Sequence, residues 1–268
     1  MSGREHPFSP TKKIIMYNSI DTLYRFSLCS VTLFLAGSLP AAPDSPPEAA
    51  GQVEALLARH LAASGAEAGR GQITARRATG WIERNNKKIP YVQSQRAPNL
   101  LQTETRFPRP GTLKQGFDGT AGWVLHPLQG GKMLAGGELA ALAASAWFNP
   151  LDHVREMFAV RRWGGARTVE GRALLALEFG AQPGGPFETW LFDAETALLA
   201  RIEKTVDAGR QGLVPVTQLF EDYREVEGQK FPFRVRTRLP TVETVLQFET
   251  VEHNVSFPDG FFSAPFSE

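Results

Sequence analysis

Turn signals recur along this chain at near-regular spacing, and the segments between them alternate apolar and polar residues. Asn85-Asn86, Asp118-Gly119, Glu170-Gly171 and Glu227-Gly228 each separate two such segments. Alternation places successive side chains on opposite sides of a strand. Connections this short join antiparallel neighbours, because a parallel pair needs a crossover of roughly a dozen residues or more. The chain is thereby constrained to an antiparallel meander.

The stretch Gln115-Gly116-Phe117-Asp118-Gly119-Thr120-Ala121-Gly122-Trp123 is the clearest hairpin. Asp-Gly between apolar arms is a strong turn signal, since glycine takes positive φ without steric cost. Before it, strands are predicted over Ile73–Glu83, Ile89–Arg96 and Leu100–Phe107, with Leu113–Phe117 and Ala121–Leu125 as the hairpin arms. After it, strands are predicted over Arg161–Val169, Arg172–Gly180, Phe187–Asp193, Leu198–Asp207, Leu213–Val226, Phe231–Leu239 and Val242–Asn254. The turn at Ala208–Gly212 separates two of these. The pattern predicts a mainly β protein with some helix, a strongly curved antiparallel sheet or half-barrel of about eleven strands.

Two helical stretches interrupt the alternation. Ser45-x-x-Glu48 reads as a capping box with Pro46 at the first helical position. Val53, Leu56, Leu57, His60 and Leu61 then share one face, and Ser64-Gly65 supplies a stop. Gly130-Gly131 and Gly136-Gly137 bracket a loop before an alanine-rich helix, Glu138–Phe148. Asn149-Pro150 is expected to cap a further short helix carrying Leu151, Val154 and Phe158 on one face. This pair is more apolar than a solvent-facing helix needs to be, so it reads as a plug or lid over the concave side of the sheet.

The N-terminus reads as a secretory signal. Lys12, Lys13 and Arg25 precede the apolar run Phe26–Leu35, and small residues follow to Ala42. That run is well short of the roughly 20 residues a spanning helix needs. The domain division is therefore 1–42 as targeting segment and 43–268 as a single domain, periplasmic or secreted after cleavage. Cys29, the only cysteine, lies inside the apolar run rather than closing it, so neither lipidation nor a disulfide is expected.

Chemistry-bearing patterns are scarce. Twenty-nine basic against 28 acidic residues leave a formal charge of +1, which gives no nucleic-acid footprint. No zinc-protease, nucleophile-elbow, paired-cysteine or phosphate-loop motif occurs. His60, His126, His153 and His253 have no partner at metal-ligand spacing. Asp118 and Asp193 sit at turns, where aspartate bonds its own backbone. Arg76-Arg77 and the alternating Arg234, Arg236 and Arg238 read as solvated faces. No cofactor, metal or catalytic residue is expected, and binding is favoured over turnover.

Several stretches together carry a family resemblance. They are Ala97-Pro98-Asn99-Leu100, the Gln115–Trp123 hairpin, Trp190-Leu191-Phe192-Asp193-Ala194-Glu195-Thr196, Asp222-Tyr223-Arg224-Glu225-Val226-Glu227-Gly228-Gln229-Lys230-Phe231-Pro232 and the phenylalanine-rich tail. The chain resembles the outer-membrane lipoprotein-sorting (LolA/LolB-like) superfamily over about residues 49 to 266. The resemblance implies a half-barrel whose concave side is covered by helices, with a hydrophobic cavity between them for acyl chains. It implies a lipid or acylated protein as partner and transient membrane contact, with an envelope protein as the alternative partner. From alternation, the cavity lining is expected to include Trp81, Leu101, Phe117, Trp123, Leu142, Trp147, Phe158, Trp190 and Phe220.

Overall fold

The computed structural model describes residues 47–66, 71–207 and 212–266. The signal segment read at 1–42, the cap read at Ser45 and most of the turn read at 208–212 lie outside these residues. Helix α1 spans Pro47–Ala63. Six strands follow: β1 Ala75–Arg84, β2 Lys87–Arg96, β3 Leu100–Arg106, β4 Thr112–Phe117, β5 Gly122–His126 and β6 Gly130–Met133. A helical link then carries α2 (Gly136–Ser145), a 3₁₀ turn (Pro150–His153) and α3 (Val154–Met157). Seven more strands complete the chain: β7 Val160–Val169, β8 Arg172–Gly180, β9 Phe187–Asp193, β10 Leu199–Asp207, β11 Leu213–Val226, β12 Gln229–Leu239 and β13 Val242–His253.

All thirteen strands form one curved, unclosed antiparallel sheet in the order β6-β5-β4-β3-β2-β1-β13-β12-β11-β10-β9-β8-β7. The expected count of about eleven is thus corrected to thirteen among the described residues. Twelve of them match the strands read from alternation. The remaining one is β6, which opens on Gly130 and Gly131 where the sequence reads as a loop. It has almost no side-chain pattern, and its strand partner is β5.

Two sequential meanders meet along one seam. The chain runs outward from β1 to the edge β6, crosses to the opposite edge β7, and returns to β13, which pairs with β1. Twelve strand spacings of about 4.8 Å make an arc of about 58 Å between the two edges. The link that joins them is largely helical, and at about 1.5 Å per helical residue it reaches on the order of 50 Å at most. It therefore crosses over one face of a curved sheet.

Packing follows that path. Ala141, Leu142 and Ala146 pack with Leu101, Leu113, Phe117 and Val124 of β3–β5. Val154 and Phe158 pack with α1 (Val53, Leu56, Leu57) over Leu177, Phe179, Trp190 and Phe192 of β8–β9. The expected cap at Asn149 makes no side-chain capping bond; its Oδ1 accepts from Arg76 instead.

The opposite face of β3–β6 is covered by the C-terminal tail. Gln102 Nε2 donates to the Phe261 carbonyl (2.7 Å) and Trp123 Nε1 to the Phe262 carbonyl (2.8 Å). Phe257 and Phe261 stack there, and Phe262 meets both edge-on. Trp123 lies across Gly116, its cross-strand partner, where an added Cβ would stand 2.5 Å from the indole. Gly116→Ala is expected to displace Trp123 and loosen the tail, destabilising the protein by about 1–3 kcal/mol. Urea unfolding of the variant, with tryptophan fluorescence as readout, checks this.

Candidate binding cavity

Helix α1 is placed by an apolar stripe and by polar contacts to the sheet and the link. His60 lies on the stripe, edge-on to Phe192 at 5.4 Å, with Nδ1 2.9 Å from the Ala197 carbonyl. A carbonyl only accepts, so Nδ1 carries the proton and donates. The helix ends where Ser64 N–H and Gly65 N–H close on the His60 and Ala62 carbonyls. Lys230 N–H then donates to the Ser64 carbonyl, docking this end on the β11–β12 turn.

A cavity of about 390 Å³ lies between this helix end, the link and the sheet. Its walls are largely apolar: Ile82, Trp190, Phe220, Phe231, Leu246 and Phe248 come from five strands on one face. Trp147, Leu151 and Met157 come from the link. One end is polar, with Arg76, Gln93, Gln95, Asn149 and Gln229. Tyr91 Oη donates to Gln93 Oε1 (3.2 Å), and Gln93 Nε2 to Gln95 Oε1 (2.9 Å) along β2.

Arg76 corrects the reading of Arg76-Arg77 as a solvated face. It is 6% exposed. Its guanidinium carbon stands over the rings of Phe148 (4.5 Å) and Phe231 (4.8 Å). Nε donates to His253 Nε2 (3.3 Å), and Nη2 reaches Asn149 Oδ1 (3.4 Å) and Gln229 Oε1 (3.5 Å). Burial pushes its pKa down to about 10, which leaves it charged at neutral pH. The arginines of β12 are half-buried rather than fully solvated: Arg234 and Arg236 pair with Glu221, and Arg238 with Glu243 and Glu170.

The nine residues expected from alternation divide into separate places. Trp147, Trp190 and Phe220 line the cavity. Phe158 lies beneath it, stacked on Phe179 at 5.1 Å. Leu101, Phe117 and Leu142 form a separate core under α2. Trp123 is on the other face from Phe117: Phe117 pairs with Gly122, so the next residue must point away. Trp81 sits under Lys88 Nζ, 4.0 Å from its ring, outside the lining. Asp118 and Asp193 act as turn devices, each accepting backbone N–H groups two and three residues on. Among the described residues there is no cluster of three or more His, Cys, Asp or Glu that could hold a metal.

No protein-family model and no curated protein matches the chain. Solved structures do. A DUF1329 family protein from Desulfovibrio piger aligns with a TM-score of 0.54 at 14% identity, over 79% of this chain and 97% of that one. A LolA superfamily protein from Nitrosomonas europaea aligns with a TM-score of 0.54 at 13% identity over the same shares. A candidate outer-membrane lipoprotein-sorting protein domain from Vibrio parahaemolyticus gives 0.55 at 13% identity, over 80% and 97%. The chain therefore has the LolA-like fold of outer-membrane lipoprotein-sorting proteins, as the resemblance in its sequence implied.

Two histidines at this site tie stability to pH. Burial lowers the pKa of His60, outweighing the Ala197 bond and Asp152. Burial and then the Arg76 charge lower that of His253, against a smaller opposing effect of Glu227. Both bind a proton more weakly folded than unfolded, where the pKa is about 6.5. Their contribution is present above that value and is lost as pH falls below it toward the folded values. Stability in urea is expected to drop from about pH 6.5 downward, and a His60→Gln, His253→Gln double variant to show a flatter profile across that range.

Proposed function

We propose that this chain is an envelope carrier or binding protein that holds a lipid-like ligand in its cavity, without turning it over. One observation carries the reading: an apolar cavity of about 390 Å³ between a curved sheet and the helical segments of the chain. Its volume falls in the range of ligand pockets, about 300–1,000 Å³. Apolar walls with a few converging polar groups at one end are the usual composition of a small-molecule site. In this reading the link and α1 are the cover of the concave side of the sheet, and the cavity is the space they leave.

The fold supports the same class, since the LolA superfamily protein and the candidate lipoprotein-sorting domain share it. The N-terminal segment fits a place outside the cytoplasm, reached through a cleaved signal. Among the described residues no helix is long and apolar enough to cross a membrane. The ligand partner is accordingly a lipid or the acyl part of a lipidated protein, met at a membrane surface and carried away from it.

Native mass spectrometry of protein purified without detergent is expected to show adducts of lipid mass. Leu246→Trp, which places an indole in the cavity, is expected to weaken binding of a fluorescent acyl probe about tenfold or more, a loss of about 1.4 kcal/mol per factor of ten. A clean apo mass together with no probe uptake by the unaltered protein would exclude the carrier role.

A further inference from the structure

The cavity contains a buried cation that the protein itself does not neutralise. Among the described residues no carboxylate stands within ion-pair distance of Arg76. Its three hydrogen bonds go to neutral acceptors, His253, Asn149 and Gln229, at 3.3–3.5 Å. Asp152 lines the same cavity but makes no ion pair with Arg76, and Glu227 Oε2 lies 3.9 Å from His253 Nδ1, on the far side of the imidazole, with its side chain largely exposed. Burying a charge without a counter-charge is costly, and natural proteins seldom leave one so.

The geometry also restricts the direction from which an anion can come. The guanidinium carbon stands over the rings of Phe148, at 4.5 Å, and Phe231, at 4.8 Å, which narrows its open side. The donors lie in its plane. Nε and Nη2 are engaged, while Nη1 makes no hydrogen bond to the described residues, and Arg76 is part of the cavity wall. An acceptor in the cavity can take the hydrogen bonds that Nη1 has left to give, as a carboxylate or phosphate does from arginine.

We propose, resting on the lipid-binding reading of this cavity, that its ligand is a single-chain amphiphile with an anionic head, and that Arg76 receives the head. A cavity of about 390 Å³ stands at the small end of ligand pockets, about 300–1,000 Å³, which suits one acyl chain rather than several. The chain lies along Ile82, Phe248, Leu246, Ile202 and Phe220, all of which line the cavity. The polar side chains of Gln95, Asn149 and Gln229 surround the head. A fatty acid supplies this chemistry as a carboxylate, and a lysophospholipid supplies it as a phosphate.

The test is competition against a fluorescent acyl probe on the delipidated full chain at neutral pH, with palmitate, palmitoyl lysophosphatidate and methyl palmitate as competitors. At least one of the two anions is expected to displace the probe about tenfold more tightly than the ester, as a charge-assisted hydrogen bond requires. The stronger of the two identifies the head. Arg76→Met is expected to lose that preference while keeping the affinity for the ester. Equal displacement by both anions and the ester in the unaltered protein overturns the role of Arg76 and leaves the lipid site standing, as does an Arg76→Met protein that keeps the preference. Displacement by none of the three overturns the lipid reading itself. If Arg76→Met does not fold, a Lys230→Gln variant decides the inference: Lys230 also lines the cavity, and an acid preference that survives its loss supports Arg76, while one that vanishes overturns it.

Discussion

The pairing of β1 with β13 holds this molecule together. Each meander by itself is an open sheet built from neighbours in sequence, with an exposed strand on either side. The seam joins them over eight residue pairs, from Arg76–His253 to Glu83–Val245. The backbones come so close at Gly80 that a Cβ there would run into the Gln247 carbonyl and Phe248. Register slips at the same place, between Thr79 and Gly80, which bends the strand at the middle of the sheet. Everything on the cavity face depends on this register. A shift of one residue would turn Ala78, Ile82 and Phe248 outward and bring polar side chains in.

The seam also explains why the polar end of the cavity sits where it does. Arg76 and His253 are directly opposed across it, and their side chains meet on the inner face. Gln229 reaches them from the start of β12, and Asn149 from the link above. Phe148 and Phe231 close on the guanidinium from link and sheet. Much of the rest of the face is apolar because strands packed beneath helices have no water to offer polar groups, apart from a row of Gln218, Thr237 and Thr244 across β11–β13.

The strands were legible in the sequence because alternation and turn chemistry agree wherever a hairpin is tight. Asp118 and Asp193 announced their turns, and both bond backbone N–H groups there. Strand β6 was not legible, because two glycines, a lysine and a methionine carry no alternation. The cavity wall was harder to read than the strands. Trp123 and Phe117 look equivalent in a list of aromatics, yet one lies under the tail and the other under α2. Arg76 was missed although the signal was present. Two adjacent arginines on one strand face opposite sides, so one of the pair had to point inward. Charge alone was taken as exposure, and only the register shows which arginine is buried.

Time enters through the topology. Hairpins within each meander can form as soon as their residues exist, since their contacts are local. The seam joins the first strand to the last, so its loop closes only when nearly the whole chain is present. The groups around Arg76 come from the beginning, the middle and the end of the sequence: β1, the link, β12 and β13. A chain still being synthesised therefore has strands, turns and helix before it has a compartment. Whatever this protein holds, it can hold only after its final strand has arrived.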